Sequence, residues 1–102
     1  MLSAAELEQY DREGLSIPQQ ALPASYVQQV RDKVETFTAA HPDLDPDYIP
    51  SIVEHDRDWL EYAKHPDVLD CVEQVIGPDI VVWGSALFCK SAGGGKATPW
   101  HQ

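Results

Sequence analysis

The sequence predicts an α+β fold: a mainly helical segment over residues 1–78, then the start of a β core over residues 79–102. Three observations carry that expectation. Apolar residues as far as Ile76 recur at spacings of three and four, the period of a helix with one buried face. Capping and stop residues bracket those stretches. Past Gly77-Pro78 the helical period gives way to a run of β-favouring residues. The 102 residues have the length of one small domain, which buries roughly two-thirds of its unfolded surface. The chain has no internal repeat and no second boundary, so residues 1–102 read as a single domain. That domain reads as incomplete, because its helices lead into a strand without a sheet to receive it.

Ser3-Ala4-Ala5-Glu6 has the form of a capping box, in which Ser3 and Glu6 satisfy each other's backbone N–H groups. Leu7 and Tyr10, with Ala4, share a face of this first helix, and Gly14 stops it. Leu15-Ser16-Ile17 is a short strand candidate before Pro18. Pro23 opens a longer helix with Val27, Val30, Val34 and Phe37 on one face, ending before His41-Pro42. Residues 41–58 are acidic and carry Pro42, Pro46 and Pro50, which predicts an irregular loop. Trp59, Leu60, Tyr62 and Ala63 predict a helical turn.

Pro66 begins a third clear helix, with Asp67 favourable at its positive end. Val68, Leu69, Val72, Val75 and Ile76 form its buried stripe, and Gly77-Pro78 ends it. The β run reaches from Ile80 to about Lys90. One face carries Ile80, Val82, Gly84, Ala86 and Phe88; the other carries Val81, Trp83, Ser85, Leu87 and Cys89. Both faces are largely apolar, as in a strand covered on two sides. Ser91 to Lys96 is a Gly-rich connection.

Charge excludes two classes of partner. Seventeen acids stand against 7 bases, a net charge of −10. That field repels phosphate backbones and anionic lipid, which argues against nucleic acid and membrane surfaces. No run approaches the roughly 18 apolar residues of a membrane span, and the N-terminus lacks a charged-then-apolar leader. The expected setting is cytoplasmic, where Cys71 and Cys89 remain free thiols.

Several motifs fail on inspection. Asp43, Asp45, Asp47, Ser51 and Glu54 match positions 1, 3, 5, 9 and 12 of a calcium loop, but Tyr48 occupies the sharp turn normally made by Gly. Gly93-Gly94-Gly95-Lys96 lacks both the upstream Gly and the following Ser or Thr of a phosphate loop. Cys89 with His101 has no orienting third group, and an apolar strand leaves its thiol inert. Cys71, Cys89 and His101 have no closely spaced pair to anchor zinc. His41, His55 and His65 stand beside Pro or acidic residues, in settings for capping or exposure. His101 differs: it follows Pro99-Trp100 at the end of a Gly-rich connection that leaves an apolar strand, a setting for a metal ligand.

The order Gly77-Pro78-Asp79-Ile80-Val81-Val82-Trp83-Gly84-Ser85-Ala86-Leu87-Phe88-Cys89-Lys90, then Gly95-Lys96-Ala97-Thr98-Pro99-Trp100-His101-Gln102, resembles the phytanoyl-CoA dioxygenase family. The N-terminal part fits as well, with a helix into Gly14-Leu15-Ser16-Ile17-Pro18, a long helix, an acidic loop with Trp59, and His65-Pro66-Asp67-Val68-Leu69-Asp70. The resemblance covers essentially the whole chain and is most specific over 77–102.

It implies an Fe(II)- and 2-oxoglutarate-dependent dioxygenase on a double-stranded β-helix, or jelly roll. Iron in that family is held by a His-x-carboxylate pair and a distant second histidine, leaving open positions for 2-oxoglutarate and O₂. His101 matches the first ligand and Gln102 the variable middle residue, with the other ligands and the basic partner of 2-oxoglutarate beyond this chain. The implied reaction decarboxylates 2-oxoglutarate to succinate and hydroxylates an aliphatic C–H of a small molecule. On the strand, Ala86 and Phe88 are the candidates for lining the cosubstrate pocket, beside Gly84, and Lys90 and Lys96 are candidates for guiding an anion.

A jelly roll needs about eight strands, so the resemblance implies an N-terminal fragment, inactive alone, whose partner is the remainder of its own jelly roll. A Gly or Ala in place of the carboxylate would imply a halogenase instead. The competing reading is a non-enzymatic helical interaction module, or the product of a decayed gene.

Overall fold

α1 (Ala4–Glu13) starts where the capping box was expected. Ser3 N donates to Glu6 Oε2 at 2.7 Å, and Glu6 N donates back to Ser3 Oγ at 3.3 Å. Gly14 ends the helix in the left-handed region (φ 75), a conformation that costs an L side chain and suits glycine. The computed structural model of the chain describes residues 1–19, 22–90 and 92–101. Among them lie five helices and one two-stranded antiparallel sheet, so the protein is α+β.

α2 (Ala24–Ala40) follows Pro23 and closes at His41, whose N–H and ring Nδ1 both bond the Phe37 carbonyl, at 3.1 and 2.9 Å. The acidic stretch after it is more ordered than its prolines predict. It contains β1 (Ile49–Pro50) and α3 (Ile52–His55), joined by Ser51 in the left-handed region at φ 51. α4 (Trp59–Ala63) is the expected helical turn. α5 (Pro66–Ile76) begins at Pro66, with the His65 ring accepting Asp67 N–H at 3.3 Å, and stops at Gly77. β2 (Ala86–Leu87) pairs antiparallel with β1, in the register Ile49↔Leu87 and Pro50↔Ala86.

One small core holds these pieces together. Phe37 of α2, Ile49 of β1, Ile52 of α3 and Trp59 of α4 are buried, and Val34, Leu44, Val53, Tyr62 and Leu87 pack around them. Trp59 and His55 meet Phe37 edge-on, with ring centroids 5.8 and 5.9 Å away, while His41 stacks on it at 4.2 Å. Offset and edge-on packing is the favoured geometry for such rings. A second attachment joins the N-terminus to α5: Leu2 N donates to Gln74 Oε1 at 2.6 Å and Gln74 Nε2 donates to Leu2 O at 3.0 Å.

Four expectations need correction. The strand expected over Ile80–Lys90 is reduced to Ala86–Leu87, because among the described residues its ladder partner is the two-residue Ile49–Pro50, where Pro50 has no N–H to give. Val81 and Trp83 are 83% and 98% exposed, so the run is not covered on two faces. Residues 15–17 have no strand partner and form no ladder. The stripe of α5 is half-buried rather than buried, and Ile76 at its end is 62% exposed. These open surfaces agree with a radius of gyration of 15.6 Å, against about 13 Å for a compact domain of this length.

Unequal burial along α2 gives a direct test. Phe37→Ala should cost about 3–5 kcal/mol by emptying the core. Val27→Ala on the same helix, 37% exposed, should cost under about 1 kcal/mol. Urea unfolding followed by tryptophan fluorescence measures both, and equal losses would contradict this placement of the core.

Candidate functional site

The C-terminal segment is fixed by a series of bonds to the acidic stretch. Ile52 N donates to Ser85 O and Val53 N to Ser85 Oγ, both at 3.3 Å, while Cys89 N donates to Pro46 O at 2.8 Å. Between these ties the side chains alternate: Ser85, Leu87 and Cys89 are half-buried, and Ala86, Phe88 and Lys90 face outward. The alternation expected for a strand thus holds over 85–90, even where the ladder is short. Burial raises the Cys89 thiol pKa, which keeps it protonated and unreactive.

The outward face borders a pocket. Phe88 lies against Tyr48 with ring centroids 5.0 Å apart. Tyr48, Phe88, Lys90, Lys96, Thr98 and Pro99 line a concavity of about 370 Å³. Lys90 Nζ donates to Thr98 Oγ1 at 2.9 Å. Lys96 is clasped twice by the acidic loop, its ammonium on Asp45 and its backbone N–H on Asp47 Oδ2 at 2.6 Å. That clasp raises the Lys96 pKa and lowers that of Asp45, so the ion pair stays charged at neutral pH. Gly95 makes the turn possible at φ 107; a Cβ there would stand 3.1 Å from Lys90 Cβ. Ala86 lies outside this pocket, on a shallower surface with Pro50 and Trp83.

His101 is exposed and lines neither concavity. Its Nδ1 is 2.8 Å from the Pro99 carbonyl. A carbonyl only accepts, so Nδ1 is the donor in this contact, and in the neutral ring the free lone pair is then on Nε2. That tautomer suits metal ligation through Nε2. One imidazole is not a site, however: among the described residues no group of three or more His, Cys, Asp or Glu is arranged to hold a metal ion. The donor set present therefore does not fit iron by itself. Ser91, expected to open the Gly-rich connection, and Gln102, expected beside the ligand, lie outside the described residues.

Comparison with protein-family models finds no match, and comparisons with curated proteins and with solved structures likewise find none. Among the described residues no helix is long and apolar enough to cross a membrane.

Sequence reasoning missed Tyr48 as the aromatic partner of Phe88, and it missed the Lys96 clasp. The signal for the clasp was the coincidence of an acidic loop with a lysine after glycines, a contact only the fold reveals. It also missed the partly buried pair at the rim of the core, where Lys33 meets Asp56 and lies 5.7 Å over the Trp59 ring. The Lys33 bond holds the Asp56 carboxyl below its ordinary range, and Asp56 raises Lys33.

A pH dependence follows with a definite sign. A lowered carboxylate pKa stabilises the fold above the unfolded value of about 3.9, and the contribution is lost as pH falls through the folded value. The raised Lys33 acts oppositely, contributing below about 10.4 and fading only as pH rises through its folded value. The urea midpoint should therefore fall on acidification below about pH 5, and fall less steeply in Asp56→Asn. Superimposable acid profiles would remove Asp56 from the account.

Proposed function

We propose that this chain is the N-terminal part of an Fe(II)- and 2-oxoglutarate-dependent dioxygenase of the phytanoyl-CoA dioxygenase kind, acting on an aliphatic C–H of a small molecule. The observation that carries the reading is the sequence from Gly77 to Gln102, an apolar β run and Gly-rich connection delivering Pro99-Trp100-His101. Two features of the fold support it. The Pro99 carbonyl sets His101 in the tautomer that leaves Nε2 available, as a first iron ligand requires. The segment from Ser85 to Lys90 keeps strand alternation, presenting Ala86 and Phe88 on one face.

In this reading β1 and β2 are the first pair of a jelly roll, and the exposed Val81–Trp83 run awaits further strands. The second histidine and the carboxylate would come from sequence following Gln102. Iron, if held by these ligands together with His101, would supply the chemistry of 2-oxoglutarate and O₂. This chain's own part is to orient one imidazole and to give the cosubstrate an apolar wall that excludes water. The interaction-module reading has one observation in its favour, the exposed apolar surface itself.

The coding sequence after Gln102 tests the proposal. It should encode Asp or Glu at once, then a second His and an Arg farther on; a stop codon would favour the interaction module, and Gly or Ala a halogenase. The complete protein should turn over 2-oxoglutarate with Fe(II) and lose at least about a hundredfold in rate in His101→Ala. The 102-residue chain alone should produce no succinate. Undiminished turnover in the His101 variant would refute the ligand assignment.

A further inference from the structure

Three of the four lysines stand beside a carboxylate: Lys33 with Asp56, Lys64 with Glu61 and Lys96 with Asp45. Lys90 does not. Its Nζ donates to the neutral Thr98 Oγ1 at 2.9 Å, and no acid lies within ion-pair distance of it among the described residues. An ammonium has three N–H donors, so two remain for a ligand. Lys90 borders the concavity of about 370 Å³ that also holds Tyr48 and Phe88. These two rings lie 5.0 Å apart at 35° and are both exposed, so protein does not cover their faces. Gly95 lets the returning segment pass against the Lys90 stem, which brings Thr98 and Pro99 to the same pocket.

We propose that this pocket binds an aromatic monocarboxylate, its ring on Tyr48 and Phe88 and its carboxylate on Lys90 Nζ. The volume of about 370 Å³ falls in the range of about 300–1,000 Å³ usual for small-molecule sites. A flat ring gains on exposed aromatic faces beyond the area it buries. A carboxylate on the free ammonium adds a charge-assisted hydrogen bond. The other charges at the pocket set the limit. Lys96 is taken by Asp45, and Asp47 lines the pocket with Oδ2 accepting the Lys96 backbone N–H at 2.6 Å. The Asp47 charge admits one carboxylate beside Lys90 and disfavours a second. The proposal needs neither iron nor any residue after Gln102, so it is independent of the oxygenase reading.

The test titrates the 102-residue chain with naphthoate and follows the backbone amide NMR signals of Lys90 and Thr98, which should shift and saturate. Naphthamide, which keeps the rings and lacks the charge, should bind at least about fivefold more weakly. The ring-free dianion 2-oxoglutarate should bind at least about fivefold more weakly as well. Lys90→Met and Phe88→Ala should each weaken naphthoate about fivefold or more. Both residues are exposed, so these variants should keep the fold, as far-ultraviolet circular dichroism checks. Thr98→Val removes the bond to Lys90 and leaves the ammonium, while Lys64→Met makes the same change of charge elsewhere. Binding in both should stay within about twofold of the parent chain. No saturable binding of naphthoate, equal binding of naphthamide, or equal weakening by Lys64→Met would overturn the proposal. A loss in Thr98→Val as large as in Lys90→Met would trace the effect to the fold of the segment, and equally overturn it. Equal binding of 2-oxoglutarate would give the pocket to the cosubstrate of the oxygenase reading and sink the aromatic assignment.

Discussion

The contact on which the rest of the fold depends is the seating of Phe37 against Ile49, Ile52 and Trp59. Four elements meet there, and each is too short or too polar to persist by itself. α3 has 4 residues and α4 has 5, well below the length at which helices are stable in isolation. β1 and β2 have 2 residues each and form a minimal ladder. Burying Ile49 fixes β1, and β1 in turn fixes the register of β2, which brings Leu87 against the core. The C-terminal pocket therefore inherits its geometry from a side chain on α2.

What was legible in the sequence was local chemistry. The Ser3–Glu6 box, the Gly14 stop, the Pro66 start and the His41 end each depend on residues within one turn of each other. Secondary structure that needs a remote partner was not legible. Ile80–Trp83 has the composition of a strand, but composition does not supply hydrogen-bonding neighbours, and those residues remain outside any ladder. Conversely, Ile49–Pro50 looked like loop because of its prolines, and became strand because Ala86 and Leu87 lay opposite. Burial of Ile49, the lone aliphatic residue between Tyr48 and Pro50, decided that outcome.

The candidate site divides along the same line. Alternation placed Ala86 and Phe88 on one outward face, since a period of two is a property of the backbone. That Phe88 would rest on Tyr48, and that Asp45 and Asp47 would hold Lys96, depended on the return of the chain across the acidic loop. The loop's carboxylates first suggested a cation site by their spacing. Lys96 occupies that role in the fold, supplying the positive charge internally. His101 was readable as a ligand candidate, and its tautomer was not, because the Pro99 carbonyl takes up its position only once the segment has turned.

The apolar surface that the small core leaves open is of two chemical kinds. Around Val81, Val82 and Trp83 it borders a short ladder with free backbone groups, so what satisfies it must bring N–H and C=O partners as well as apolar area. Between α1 and α5 the helix backbones are already bonded internally, and what the helices expose is mostly apolar side chain. The two surfaces therefore differ in what would satisfy them: the first calls for a strand's hydrogen bonds as well as apolar area, while the helices of the second call for apolar area alone.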